Sequence, residues 1–413
     1  MCWMKKILII HQNFPGQFKH LYPELARHHD VVGLTINAHQ PTAPIRLVQY
    51  RPKRGSTQGI HPWVSDLETK VIRAEAAYEI MLDLRENGFT PDLVLAHPGW
   101  GESLFIKEVW PSARLAVYCE FFYHLQGADV GFDPEFEVPD VGQGPRLKIK
   151  NVNMRLHMDM ADAGLAPTQW QASVFPEDFR SKITVIHDGV DTASIAPNPD
   201  VSLVLGRIGR IDRSDEIITF VNRNLEPMRG CHQFIRALPE LMRLRPKARI
   251  LIVGGDSVSY GKKPEDGKTW KQIFMDEVRN SVDLSRIHFL GMVDHQRFVQ
   301  LLQISTVHVY LTYPFVLSWS LIEAMSAGCA IVASKTKPLE EVLFDQENGV
   351  LTDFFDPQAL AEKVAALSAD PEKRQRLGSA ARAFAIKHYD LNSVCLPRQL
   401  VWVESLLQAT PSP

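Results

Sequence analysis

Apolar residues fall along the chain in short continuous runs, separated by longer stretches in which they recur at helical spacing. The first run, Ile7-Leu8-Ile9-Ile10, is rich in β-branched side chains and predicts a strand buried on both faces, as a parallel sheet requires. The turn Asn13-Phe14-Pro15-Gly16-Gln17 follows, and Phe18, Leu21, Leu25 and Ala26 then carry helical spacing. The unit returns: a strand over 92–96 leads into His97-Pro98-Gly99-Trp100-Gly101, then a helix, then a strand over 114–118. Such alternation predicts a doubly wound α/β half.

Residues 183–199 run from Ile183-Thr184-Val185-Ile186 through Asp188-Gly189-Val190-Asp191 into Pro197-Asn198-Pro199, a linker candidate. Beyond it the pattern restarts, with strands over 217–221, 249–253, 286–290, 307–311 and 330–333 and helices between them, which predicts a second α/β sheet. Gly206 and Gly209 between short apolar runs predict an extra hairpin over 201–216, residues 129–145 a long flexible loop, and residues 356–413 mainly helix.

Length changes the picture by allowing two or three domains for 413 residues. Charge narrows the partners: 45 Lys and Arg against 48 Asp and Glu give a formal net charge of -3, so no global positive field exists to hold a nucleic acid, and none is expected as a partner. The five cysteines, with no Cys-x-x-Cys among them, are expected as reduced, mostly buried thiols. The four-residue run at 7–10 is too short for a signal-peptide core or a membrane span, and a cytoplasmic protein is expected.

Several chemistries drop out. No Gly-x-Gly-x-x-Gly follows a strand, and there is no His-Glu-x-x-His, no Asp-x-Asp for a nucleotide-bound metal and no Gly-x-Ser-x-Gly elbow. Gly267-Lys268-Thr269 looks like the end of a phosphate loop, but Lys262 stands where its first glycine belongs. Two segments of the second half remain. Phe220-Val221-Asn222-Arg223-Asn224-Leu225-Glu226-Pro227-Met228-Arg229-Gly230 puts two guanidinium groups on a strand-to-helix loop, which suits a diphosphate. Ser318-Trp319-Ser320-Leu321-Ile322-Glu323 opens another helix with an acid in its first turns, where a carboxylate can accept from ribose hydroxyls.

Together with Val253-Gly254-Gly255, Phe289-Leu290-Gly291, Ile186-His187-Asp188-Gly189-Val190-Asp191 and the run from Glu341 to Gly349, these segments resemble the retaining glycosyltransferases of family 4. The resemblance spans about residues 5–395 and implies an α/β protein of the GT-B fold, two facing Rossmann-like domains with a cleft between them. It implies an N-terminal acceptor domain over 1–195, joined by a C-terminal helix over about 390–413, and a nucleotide-sugar donor domain over 196–389. A hexosyltransferase follows from it, retaining and metal-independent, with no cofactor beyond the nucleotide-sugar donor substrate. Its acceptor would be a carbohydrate or lipid-linked molecule in surface polysaccharide synthesis, with peripheral contact at the inner face of a membrane as a further expectation. Carried over by position, Arg223 and Arg229 would grip the donor diphosphate, Glu323 the ribose, and amides near Ser320 and Leu321 the phosphates. Gly291 would let the chain pass the base, and Gly16 would belong to the glycine loop of the first domain. Glu120, nearest the family's catalytic histidine, and His97, just past a buried strand, are the catalytic candidates.

Departures accompany the matches. Relatives carry a second acid eight positions before the one matched by Glu323, and this chain has Phe315 there; Lys337-Pro338 replaces a common Gly-Gly. Simpler readings stand beside the functional ones: Ser320 to Glu323 fits a capping box, the two arginines fit solvated charges, and Gly16 and Gly291 fit turns. A catalytically silent nucleotide-sugar-binding protein and a GT-B sugar-nucleotide epimerase are the alternatives.

Overall fold

The computed structural model describes residues 4–37, 40–137, 140–206, 209–264 and 267–409. Its first sheet holds β1 (Lys6–Ile10), β2 (Asp30–Thr35), β3 (Arg46–Gln49), β4 (Leu93–Ala96), β5 (Arg114–Tyr118), β6 (Ala163–Ala166) and β7 (Ile183–Val185). The order is β3-β2-β1-β4-β5-β6-β7, with every neighbouring pair parallel. β1 and β4 are buried along nearly their whole length because helices cover both faces of such a sheet, which is why they read as unbroken apolar runs. Trp402, Val403 and Leu407 of the helix Leu396–Gln408 complete the same core beside Ile7, Ile9 and Leu95.

An antiparallel hairpin, β8 (Ser202–Leu205) and β9 (Gly209–Asp212), precedes the second sheet; Arg207 and Ile208 lie outside the described residues. The second sheet holds β10 (Ile217–Asn224), β11 (Arg249–Gly255), β12 (Ile287–Gly291), β13 (Val307–Tyr310), β14 (Ile331–Ser334) and β15 (Val350–Thr352), all parallel, in the order β12-β11-β10-β13-β14-β15. The helix Cys231–Leu244 buries Phe234, Ile235, Leu238, Leu241 and Met242 at helical spacing, and Phe234 stacks on Phe220 of β10 at 4.4 Å. Truncating one such side chain to alanine costs about 2–5 kcal/mol.

The chain folds into two compact units, Met1–Gly131 with Val138–Gly189 and Asn392–Pro413, and Phe132–Glu137 with Val190–Leu391. The division falls at 189–190, six residues before the expected boundary, because Val190 pairs with Asp390 and Thr192 donates to the Asp390 carboxylate. The proposed linker is likewise ordered at its start, where β7 joins the first sheet. Part of the expected 129–145 loop is packed as well. Phe132 lies against Tyr313 and Phe355 of the second unit at 5.0 Å, Phe136 lies 4.9 Å from His232, and Glu135 meets Arg236 through both oxygens at 2.6 Å. Val138 and Pro139 of that loop lie outside the described residues, as does Cys2; the other four cysteines are buried free thiols. No helix among the described residues is long and apolar enough to cross a membrane.

Candidate active site

In each sheet the strand order reverses once at its centre, between β1 and β4 and between β10 and β13. Connections leaving the carboxyl ends of those strands diverge to opposite faces, and the crevice they open is where α/β sheets bind ligands.

At the first reversal, His11 follows β1 directly and His97 follows β4. Both rings use Nδ1 to accept the backbone N–H two residues on, Asn13 at 2.9 Å and Gly99 at 3.2 Å, so each neutral ring carries its proton on Nε2. His11 Nε2 then donates to Gln17 Oε1 at 2.8 Å, and the Gln17 amide donates to Glu120 Oε1 at 3.3 Å. His97 Nε2 lies 3.5 Å from Glu120 Oε2, too long for a good hydrogen bond. Burial, reinforced by the neighbouring His97, pushes the His11 imidazole down to about 3 and keeps it neutral. The His97 ring packs 4.5 Å from Trp100 and 5.5 Å from Tyr118, whose hydroxyl donates to both oxygens of buried Asp188, at 3.1 and 2.9 Å. Gly16 is the residue that lets this cluster close. It has φ +51, and a Cβ there would overlap the His11 ring.

At the second reversal, the β10 exit loop carries Arg229, 8% exposed, beside Thr312 and Tyr313, which follow β13. Its Nη1 donates to Thr312 Oγ1 at 2.8 Å and to the Val316 carbonyl at 3.4 Å. The guanidinium carbon lies 5.6 Å from the Tyr260 ring and 5.9 Å from the Phe315 ring. No carboxylate pairs with Arg229 among the described residues, and its other nitrogens bond none of them. Such an arrangement holds a full positive charge in a low-dielectric setting with one edge uncommitted, which suits an anionic ligand. Gly230, next in the chain, takes φ +69 against Leu311, where a Cβ would collide, and so turns the loop into the helix Cys231–Leu244. Arg223 is exposed near the end of β10.

The helix Trp319–Ser326 begins earlier than the proposed capping box requires. Ser318 is its N-cap, accepting from the Ser320 N–H at 3.3 Å, and the Leu321 N–H donates to the Ser318 carbonyl at 3.2 Å. Those two amides, expected to face phosphates, are therefore already engaged. Glu323 is outside the cap; its carboxylate, 13% exposed, accepts from His295 Nε2 at 2.7 Å. Gly291 closes β12 with φ +65 and open space beside it.

Residues 27–195 match the model of the Glycosyl transferase family 4 group, and residues 207–384 that of the Glycosyl transferases group 1. The chain belongs to the group 1, family 4 glycosyltransferases. Among curated relatives of this chain, D-inositol 3-phosphate glycosyltransferase of Segniliparus rotundus is 29% identical over 70% of this chain and 64% of that protein. Spore coat protein SA of Bacillus subtilis is 28% identical over 52% of this chain and 57% of that protein. The matches thus span less than two thirds of those relatives' own length. Sucrose-phosphate synthase from Thermosynechococcus elongatus superposes with a TM-score of 0.72 at 17% identity, over 98% of this chain and 100% of that one. HepE of Anabaena, solved in complex with UDP-glucose, gives 0.70 at 17% identity over 97% and 99%. The fold is GT-B.

The group 1 chain therefore brings Glu120, His97 and the Gly16 turn into one cluster, and holds Arg229 in an aromatic setting that Arg223 does not share. Sequence reading missed His11 and Gln17, although His11 stands past a buried strand as His97 does. It also missed Thr312, Tyr260 and the buried Glu226, whose carboxylate binds a loop distant in sequence. The Gly267-Lys268-Thr269 stretch has a local role, since Thr269 forms a capping box with Gln272 at the start of the helix Trp270–Val278. Asp133, Glu135 and His232 are close enough to share a metal ion. Asp133 already accepts from the Tyr313 hydroxyl at 2.8 Å, and Glu135 already meets Arg236, which makes the trio a packing contact of the 132–137 segment.

Proposed function

We propose that this chain is a retaining, metal-independent hexosyltransferase that moves a sugar from a nucleoside diphosphate donor to a carbohydrate or lipid-linked acceptor, in surface polysaccharide synthesis. The observation that carries the reading is the unpaired Arg229 guanidinium at the strand-order reversal of the second sheet. It supplies the counter-charge that a departing diphosphate needs as its bond to the sugar breaks, and fixed charges of this kind stabilise the transition state more than the ground state. Arg223 would add a second, solvent-exposed contact, and Glu323 would accept from the ribose hydroxyls. Gly291 would leave room for the base beside β12. Glu120 and His97 form the acceptor-side cluster. Glu120 would orient the acceptor hydroxyl, and His97, whose Nε2 lies 3.5 Å from the carboxylate, would help to position it. The departing phosphate oxygen would take the acceptor proton, in keeping with retention. HepE's complex with UDP-glucose makes UDP-glucose the first donor to try, and an inositol phosphate is the first acceptor suggested by the relatives.

A specific observation favours a second reading. Phe315, 3% exposed, fills the place of the acid that relatives carry, and Glu323 is engaged by His295, features that a catalytically silent nucleotide-sugar-binding protein could retain. Incubation with UDP-, GDP- and ADP-sugars in excess chelator, with and without acceptor, separates the readings. Acceptor-dependent product with the donor's anomeric configuration, read by proton NMR, is the expected result. Tight donor binding without turnover would assign the binding protein, free epimerised sugar nucleotide would assign an epimerase, and a strict need for Mg²⁺ or Mn²⁺ would remove metal independence.

A further inference from the structure

The exit loops of β10 and β11 are stitched together more heavily than a surface turn requires. Glu226 is 1% exposed, and its carboxylate accepts three consecutive backbone N–H groups, from Ser259 at 3.0 Å, Tyr260 at 3.2 Å and Gly261 at 3.0 Å. Asn224 adds a bond to Ser259 Oγ at 2.7 Å, and the Leu225 N–H donates to the Gly255 carbonyl at 2.9 Å. A buried carboxylate satisfied by successive amides fixes the backbone through them, since leaving any of these groups unpaired in the interior is costly. What the clamp fixes is Tyr260. Its side chain is exposed enough to need no burial, at 46%, yet its ring lies 5.0 Å from Phe315 and 5.6 Å from the Arg229 guanidinium carbon.

We propose that Tyr260 is a positioning residue of the donor site, held by Glu226 so that its ring covers the Arg229 guanidinium and fixes the edge offered to a diphosphate. The inference rests on the donor-site reading above. With Nη1 tied to Thr312 and Val316, the guanidinium retains freedom to rotate about its long side chain, and two aromatic rings near it restrict that freedom. The negative face of an aromatic ring also stabilises the cation where a carboxylate would neutralise it, so the charge stays available to a ligand. Glu226 sits on the same loop as Arg229, three positions earlier, so one short segment supplies both the cation and the anchor of its cover.

The test is calorimetric titration of the parent with UDP, GDP and ADP, followed by titration of folded variants with the tightest of these and with its bare nucleoside. Tyr260→Ala should weaken the diphosphate by about three- to thirtyfold, the range of a partly desolvated cation–π contact, and leave the nucleoside unchanged. Tyr260→Phe, which keeps the ring, should stay within about twofold of the parent, whereas Tyr260→Leu, which keeps apolar cover without a π face, should behave like the alanine variant. Glu226→Gln should weaken the diphosphate in the parent and add little in a Tyr260→Ala background, because the two act through one contact. If Arg229→Ala loses the diphosphate while Tyr260→Ala binds it like the parent, Tyr260 has no positioning role and the donor-site reading stands. If Arg229→Ala also binds like the parent, or no diphosphate binds the parent, the donor-site reading itself falls.

Discussion

Around the reversal between β1 and β4, His11, Gln17 and the Glu120 carboxylate are joined by hydrogen bonds with the His97 ring 3.5 Å from the carboxylate, whereas around the reversal between β10 and β13 a guanidinium lies beside two aromatic rings. Strand order is the same about both points, so topology explains where the polar groups gather and nothing about which groups they are. The difference lies in how charge is handled. The first cluster keeps its buried His11 neutral and leaves the Glu120 carboxylate 39% exposed, an arrangement suited to guiding a hydroxyl. The second buries a permanent cation that no carboxylate pairs with among the described residues, an arrangement suited to a fixed anion.

The largest effect should come from the first cluster. Glu120→Gln preserves size and the bond from Gln17 while removing the charge that would orient the acceptor hydroxyl, so transfer should fall by about a hundredfold, within the range for loss of one fixed polar contact at a reacting group. Diphosphate affinity should be unchanged. A loss of binding equal to the loss of transfer, or activity within a fewfold of the parent, would break the division of labour between the two regions.

Acid should separate the two regions next. The first unit holds three imidazoles that burial pushes down, His11 and His187 to about 3 and His157 to about 4. The second holds one of that size, His308 at about 4, together with downward shifts at partly buried His288 and exposed His388. Between the ordinary value of 6.5 and these lowered values the unfolded chain takes up protons that the folded chain refuses. Stability is therefore full above about pH 6.5 and falls with pH toward 4, by up to about 1.4 kcal/mol per pH unit for each imidazole. Amide hydrogen exchange at pH 7 and pH 5 should show the first unit losing protection earlier. Equal losses, or earlier opening of the second unit, would contradict the assignment of neutral buried imidazoles.

The two arginines sharpen the comparison within the second region. Arg229→Ala should weaken nucleoside diphosphate binding by at least about tenfold, since a charge-assisted contact contributes about 1.5–3 kcal/mol. Arg223, exposed at the end of β10, should contribute less than Arg229, as solvated charges do. Phe315→Glu tests the absence of a counter-charge directly, because a carboxylate at that position would stand beside Arg229. Diphosphate affinity should fall, and transfer should not rise. A large gain in transfer would instead mark the natural chain as a disabled relative.

Much of this was legible in the sequence, for stated reasons. Unbroken apolar runs such as Ile7-Leu8-Ile9-Ile10 can hardly be other than doubly covered strands, and the positions just past them, such as His97, fall at the carboxyl edge by geometry alone. The capping box at Ser320 was misread because Ser318, two positions earlier, offers an equally good cap, and local pattern does not choose between overlapping caps. Contacts between distant segments were beyond reach: nothing near Glu226 tells that it will accept three amides from 259–261, and Asp133-Pro134-Glu135 reads as loop until His232, Tyr313 and Arg236 meet it.

The smallest effect, and the finest test of how the second region is prepared for a ligand, concerns His295. It is 65% exposed and donates to Glu323 Oε1, so its removal should leave stability within about 0.5 kcal/mol of the parent, as for other surface substitutions. A carboxylate offers about four lone-pair sites over two oxygens, which leaves Glu323 able to accept from His295 and from a ribose hydroxyl together. His295 then acts by holding the carboxylate in one rotamer, and His295→Ala should weaken a nucleoside diphosphate by about two- to fivefold, the order of the side-chain entropy released. The 2′,3′-dideoxy analogue, which presents no hydroxyl to Glu323, should bind parent and variant alike. Tighter binding of the ordinary diphosphate to His295→Ala would reverse the argument, showing that the imidazole occupies the lone pairs that the ribose needs and must be displaced each time the donor binds.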